Sequence, residues 1–243
     1  MSTDYNFLTK KLVRLRKLYE SAIRAKNWAN VIRSSVIIKE LHDYVVKELM
    51  NHHVKRKFIS QDKKIMGYFK TKTQDVLVAK NIKEPLISVN VRSQLSSIQK
   101  NYDTLFERLI AESTNLHEKH PSMVCGYLYL LPTIGYSTKE AKKGRILRNE
   151  HFNWEKYLWS FSLLADRKNK EAASYEYEEI CLLAVDFSKA KPEVLQNIED
   201  FRTRRLVSDK FAEKFNYGNL SIDKFIERLL NKFNHGNINS LTR

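Results

Sequence analysis

Two short runs carry the residues best suited to chemistry. Gln74-Asp75-Val76-Leu77-Val78 contains a carboxylate near its start, and Ile87-Ser88-Val89-Asn90-Val91-Arg92-Ser93-Gln94 alternates apolar side chains with Ser88, Asn90 and Arg92. Alternate residues of a strand share a face, so two adjacent strands would bring Asp75 close to Asn90 and Arg92. A carboxylate, an amide oxygen and a guanidinium in one place suit phosphodiester hydrolysis. That reaction asks for oxygen ligands around a divalent ion, an activated water and a cation against the developing charge. Plainer roles are open to the same residues. Asp75 can be a strand-edge carboxylate paired with a lysine, and Asn90 and Arg92 can be solvated residues of an edge strand.

Helices and further strands must hold these runs in place. Leu8, Leu12, Leu15, Leu18, Tyr19 and Ile23 recur at helical spacing over 5–25. A second helix is expected over 28–49, capped by Asn27, with Val31, Ile32, Ile38, Leu41, Val45 and Leu49 turned inward. Three β-like runs follow at 65–69, 75–78 and 86–91. A long helix over about 96–117 carries Ile98, Tyr102, Leu105, Leu109 and Leu116 on one side, and Pro121 ends it. The apolar runs 124–131 and 180–187 read as buried strands. Between them lie a basic, loop-like stretch at 135–150 and an aromatic helix at 152–165 whose Trp154, Tyr157 and Trp159 read as core. The remainder is helical. Strands alternating with helices of this length imply an α/β domain with a mixed central sheet flanked by helices, plus N- and C-terminal helices. Residues 1–243 form one domain in this reading: a helical part at about 5–50, an α/β core at about 63–190 and a helical C-terminal part at about 193–234.

The composition narrows the partner. The chain has 243 residues and a formal charge of +15, with 6 Gly and 4 Pro. Scarce Gly and Pro with a large apolar fraction argue against disorder. The surplus of positive charge favours a polyanion, nucleic acid first and an anionic membrane second. No run approaches the ~18 apolar residues of a membrane helix, and the polar start carries no secretory signal. A cytoplasmic protein is therefore expected. Cys125 and Cys181 lie in apolar runs and read as buried thiols, without support for a zinc site. His52 and His53 are adjacent, so on a helix they point about 100° apart and cannot chelate together. His235-Gly236-Asn237 is too short and terminal for a histidine-metal nuclease centre.

The segment order from about 30 to 190, with Gln74-Asp75 and Asn90-Val91-Arg92-Ser93-Gln94, resembles the PD-(D/E)XK nuclease superfamily, most closely its type II restriction endonucleases. The resemblance implies a restriction-endonuclease-like core, Mg²⁺ as cofactor and a homodimer that cuts double-stranded DNA at a short specific site. It assigns catalysis to Asp75, Asn90, Arg92 and Glu107. The metal would rest on Asp75, Asn90 and Glu107, with Glu40 or Asp43 of the first long helix able to join. The chain departs from the family at two positions. Asn90 stands where an acid is usual, and Arg92 where a lysine is usual. Arginine does not deprotonate in proteins, so Arg92 suits a phosphate clamp rather than a proton shuttle. Some family members move the missing acid to the following helix. Glu107 fits that place, with Asp103 one turn earlier and Glu112 further along.

Basic residues cluster in four places, 52–57, 63–72, 139–148 and 202–210, and the candidate DNA contacts are Lys55, Arg56, Lys72, Lys100, Lys142, Lys143, Arg145, Arg148 and Arg204, with the neutral Gln94. Phosphate contacts give affinity, while base edges give sequence, and Arg145 and Asn149 are the candidate base readers. Two other functions fit the same residues: a DNA-binding module on this fold with a degraded centre, and an RNA-binding basic protein without catalysis.

Overall fold

The computed structural model describes residues 3–33 and 36–234, without the side chains of 31–33 and 234. The expected inward packing of Val31 and Ile32, and the His235 segment, lie outside what is described. Helix α1 (Tyr5–Arg24) begins where Asp4 accepts a hydrogen bond from the Phe7 amide at 2.9 Å, which satisfies one of the orphan donors of a first turn. Its Leu8, Leu12, Leu15, Tyr19 and Ile23 are buried. The single helix expected over 28–49 is divided into α2 (Trp28–Arg33) and α3 (Lys39–Asn51).

Strand β1 (Ile59–Ile65) precedes the place expected for it. The sequence pattern missed it because Asp62, Lys63 and Lys64 are exposed on the edge of the sheet, where no apolar alternation is required. The run at 65–69 instead turns the hairpin into β2 (Lys72–Ala79). Asn115 of the later helix clamps that turn. Its Oδ1 accepts from the amides of Phe69 at 2.8 Å and Lys70 at 3.0 Å, and its Nδ2 donates to the Lys70 carbonyl at 2.9 Å. Gly67 is required here: a Cβ would stand 2.0 Å from Asn115 Nδ2.

Strand β3 (Pro85–Ser93), helix α4 (Tyr102–His117) and strand β4 (Val124–Pro132) follow. A 3-10 turn at Gln99–Asn101 occupies the start of the long helix expected from residue 96. The stretch 135–150 is not a plain loop. It holds β5 (Gly135–Tyr136), α5 (Thr138–Lys142) and β6 (Arg148–Glu150). Then come α6 (Trp154–Leu163), β7 (Glu179–Asp186), β8 (Glu193–Val194), α7 (Ile198–Thr203), α8 (Asp209–Ala212) and α9 (Phe225–Asn234). Trp154 and Tyr157 are core, but Trp159 is 58% exposed.

The central sheet has six strands in the order β1-β2-β3-β4-β7-β8. The pairs β3/β4 and β4/β7 are parallel, and β1/β2, β2/β3 and β7/β8 are antiparallel. The fold is α/β with a mixed sheet flanked by helices. One face packs Val76, Val89, Val91, Leu128 and Leu183 against α1, α3 and α9. The other packs Leu77, Tyr127, Tyr129 and Leu182 against α4, α6 and α7. Strands buried on both sides explain the continuous apolar runs at β4 and β7. No described helix is long and apolar enough to cross a membrane. Cys125 and Cys181 are free and buried.

Candidate functional site

The two runs singled out by their chemistry do meet, at a fault in the sheet. Backbone pairing of β2 with β3 covers Val76↔Val89, Leu77↔Ser88 and Val78↔Ile87. Beyond it side chains replace the ladder. The Asp75 amide donates to Asn90 Oδ1 at 3.2 Å, and the Val91 amide donates to Asp75 Oδ2 at 2.7 Å. On the other edge of β2, pairing with β1 passes from Gln61↔Val76 to Lys63↔Gln74. The register is unchanged across this step, so Asp62 stands opposite Asp75, but the two form no ladder pair and Asp62 takes a φ of 54°. Aspartate tolerates this left-handed conformation better than most residues.

Arg92 reaches back to Asp75, its Nη1 standing 3.3 Å from Oδ2. Its Nε and Nη2 make no hydrogen bond among the described residues. Burial disfavours the guanidinium charge, but Tyr127, Asp75 and Glu112 outweigh it and raise the pKa above its ordinary value. Arg92 therefore stays a cation with donors to spare. It lines a cleft of about 530 Å³ together with Asp75, Gln94, Asn101, Arg108 and Tyr129. Gln94 is held by Tyr129, whose hydroxyl donates to Oε1 at 2.6 Å, and by the Ser97 carbonyl at 2.9 Å from Nε2.

Asn90 sits differently from expectation. It is 1% exposed, and its amide donates to Gln74 Oε1 at 3.1 Å and Glu112 Oε1 at 3.3 Å. With the Asp75 amide on its Oδ1, both amide hydrogens and one lone pair are used within the protein. Asn90 locks the fault closed and does not present itself to a metal. The carboxylate from the long helix that reaches this network is Glu112, which is buried, while Glu107 is exposed on α4. The two differ by five positions, about 140° around a helix. Glu40 is buried, but it faces α1 and pairs with Lys11 at 3.1 Å and Arg14 at 2.9 Å. Asp43 pairs with Lys11 at 2.7 Å. The magnesium set Asp75, Asn90, Glu107 is thus not assembled. Asn90 is consumed by the sheet, Glu107 points to solvent and Glu40 is neutralised by α1.

Two residues outside the sequence motif, His42 and Asp62, stand beside Asp75. Two residues along α3, just over half a turn, separate the directions of Glu40 and His42 by about 200°, so that when Glu40 meets α1, His42 meets the sheet. His42 Nε2 stands 3.7 Å from Asp75 Oδ1, and one ligand atom each from His42, Asp62 and Asp75 lie within 4.8 Å of one another. Burial lowers the pKa of His42, against the pull of Asp75 and Asp62.

The basic residues expected on DNA divide into engaged and free. Arg204 pairs with Glu193 at 2.8 Å, Arg148 with Glu20 at 3.0 Å, and Lys143 and Arg145 with Glu140 at 2.7 and 3.1 Å. Arg56 donates to the Ile59 carbonyl. Lys55, Lys100 and Lys142 are exposed and Lys72 is half-buried. Lys100 and Asn149 share a shallow depression with Ser97, Gln99 and Thr138, next in sequence to the Ser96 and Asn101 of the cleft wall. The hairpin tip between β1 and β2 exposes Met66, Tyr68 and Phe69 by 62%, 62% and 72%, beside the exposed Lys63, Lys64 and Lys70.

Comparison of the chain with family models, curated proteins and solved structures found no match.

Proposed function

We propose that the chain is an endonuclease that hydrolyses phosphodiester bonds of double-stranded DNA at the cleft beneath Asp75, a type II restriction-like activity exerted as a homodimer. The observation that carries this reading is the fault in the sheet. A buried carboxylate is withdrawn from solvent on one side and opens on a basic cleft on the other, with Arg92 bonded to it and offering further donors. A guanidinium so placed can take a non-bridging phosphate oxygen in a forked contact. Arg108 and Lys100 extend the positive charge along the approach. The exposed aromatic pair at the β1–β2 tip, flanked by lysines, suits stacking on bases or wedging between them.

Incubation of the full chain with a panel of plasmids and Mg²⁺ or Mn²⁺ tests this. Wild type is expected to cut, Asp75→Ala to lose cleavage, and Arg92→Ala to slow it by about 10²–10³-fold, the usual effect of removing one charge-stabilising group. Equal cutting by wild type and Asp75→Ala, or none on any DNA, overturns the enzymatic reading. A second reading is favoured by one specific observation, the complete internal use of Asn90. On that reading the fold binds DNA without cutting it. Salt-dependent duplex binding with no cleavage by the wild type would select it, and preference for structured RNA at matched salt would reject both.

A further inference from the structure

We propose that His42, Asp62 and Asp75 form a binding site for one divalent transition-metal ion, through one imidazole nitrogen and two carboxylate oxygens. Among the described residues neither ring nitrogen of His42 has a hydrogen-bond partner, although the residue is only 1% exposed. A buried orphan of this kind costs about 1–3 kcal/mol, and folded proteins retain few of them. Its neighbour explains it. The 3.7 Å between His42 Nε2 and Asp75 Oδ1 is too long for a hydrogen bond. It is the spacing two ligands hold across a shared ion, about 3.0–4.2 Å for bonds near 2.1 Å.

Asp75 divides its two oxygens to suit. Oδ2 accepts from Val91 and Arg92, whereas Oδ1 faces His42 and accepts no hydrogen bond among the described residues. Asp62 is the third donor: the β1–β2 register sets it opposite Asp75, at a position that forms no ladder pair and has a left-handed backbone. It is exposed, so it can close the last fraction of an ångström from the 4.8 Å limit of the cluster and leave the remaining coordination positions open to solvent. Two carboxylates beside the Arg92 cation leave one net negative charge for the ion to meet. The imidazole sets the metal class. Magnesium favours all-oxygen surroundings and keeps its waters, while an imidazole with carboxylates suits Mn²⁺, Fe²⁺, Co²⁺ or Zn²⁺.

This site shares Asp75 with the proposed nuclease centre, yet its test is binding without DNA, so either proposal can fail alone. The full chain is titrated with Co²⁺, followed by visible absorption, then with Zn²⁺ as competitor and Mg²⁺ as comparison. One Co²⁺ per chain, displaced by Zn²⁺ and bound at least about a hundredfold more tightly than Mg²⁺, is expected. Asp62→Ala, at an exposed position, should weaken Co²⁺ by about tenfold or more, since even a group one bond removed from a metal is worth about 10–100-fold. His42→Leu should do the same and abolish the nitrogen coupling in the electron spin echo of bound Mn²⁺. Absent Co²⁺ binding, binding unchanged in Asp62→Ala, or equal affinity for Mg²⁺ overturns the proposal, whatever the nuclease assay shows.

Discussion

Among the described residues two histidines are buried beside carboxylates, one on α3 and one on α4, on opposite faces of the sheet. By distance alone they look alike. His117, Cys125 and Glu178 bring ligand atoms within 4.8 Å, as do His42, Asp62 and Asp75. Their hydrogen bonds separate them. His117 donates from Nδ1 to the Ser174 carbonyl at 3.0 Å and from Nε2 to Glu178 at 3.2 Å. Glu178 also takes the Cys125 amide at 2.7 Å and Arg167 at 2.8 Å. Both imidazole nitrogens face acceptors, so the ring there is a cation. Burial opposes that charge, and Cys125 and Glu178 beside it more than offset the opposition, which pushes its pKa up to about 10. Arg167 already supplies a second cation. The α4 cluster is closed by its own bonds; the α3 cluster is not. Proximity of ligand atoms thus says less about function than what those atoms lack.

The strongest way to break this contrast is to remove the shared acid of the closed cluster. Glu178→Ala leaves two buried cations without their anion and should cost about 3–5 kcal/mol, read as a large fall in the urea midpoint. His42→Leu should do the opposite. It removes an orphan and replaces it with an apolar side chain, so stability should be unchanged or higher by about 1 kcal/mol, although metal is lost. If His42→Leu destabilises as much as Glu178→Ala, the distinction collapses.

The pH profile sharpens it further. His117 has its folded pKa raised, so its contribution is fully present below the ordinary histidine value of about 6.5 and drains away as pH rises through about 10. Glu178 is depressed, by hydrogen bonding and charge from His117 against burial. Its contribution is present above the ordinary glutamate value and is lost as pH falls through the folded one. Urea midpoints should therefore decline on both flanks. The alkaline decline should flatten in a His117→Gln chain. The smallest effect is expected at Glu107. Glu107→Gln should shift stability by no more than about 0.5 kcal/mol and leave cleavage intact. Glu112→Gln, by disturbing the Asn90 network, should cost about 1–2 kcal/mol.

Much of the fold was legible because burial writes itself into pattern. The strands β2, β3, β4 and β7 have a two-sided core, and their apolar runs show it. β1 leaves little trace because an exposed edge strand needs no such run. The helix acid is hard to place for a related reason. Leu105, Leu109 and Leu116 mark the inward stripe of α4, and Glu112 lies on that stripe while Glu107 does not; a carboxylate on an apolar stripe was the signal available. His42 carried a similar one, between Leu41 and Tyr44 on a buried face. Asp62 carried none, since its place depends on a backbone turn that Lys63 and Lys64 disguise as part of a basic cluster. Asp75 and Arg92 are legible because alternation on adjacent strands is local. Asn90 is legible on the same alternation, but its role depends on Gln74 and Glu112, which only the folded sheet brings to it.

The bond from the Val91 amide to Asp75 Oδ2 makes the protein its own indicator. That proton is shared with a carboxylate at 2.7 Å rather than with a peptide carbonyl, and charge-assisted bonds of this length deshield the proton strongly. A cation arriving at Oδ1 draws electron density from Oδ2 and weakens the bond. The Val91 amide resonance should therefore move upfield on Co²⁺-free titration with diamagnetic Zn²⁺, while amides along the intact β4/β7 ladder stay still. One backbone proton would then report occupancy in the absence of substrate, label or turnover.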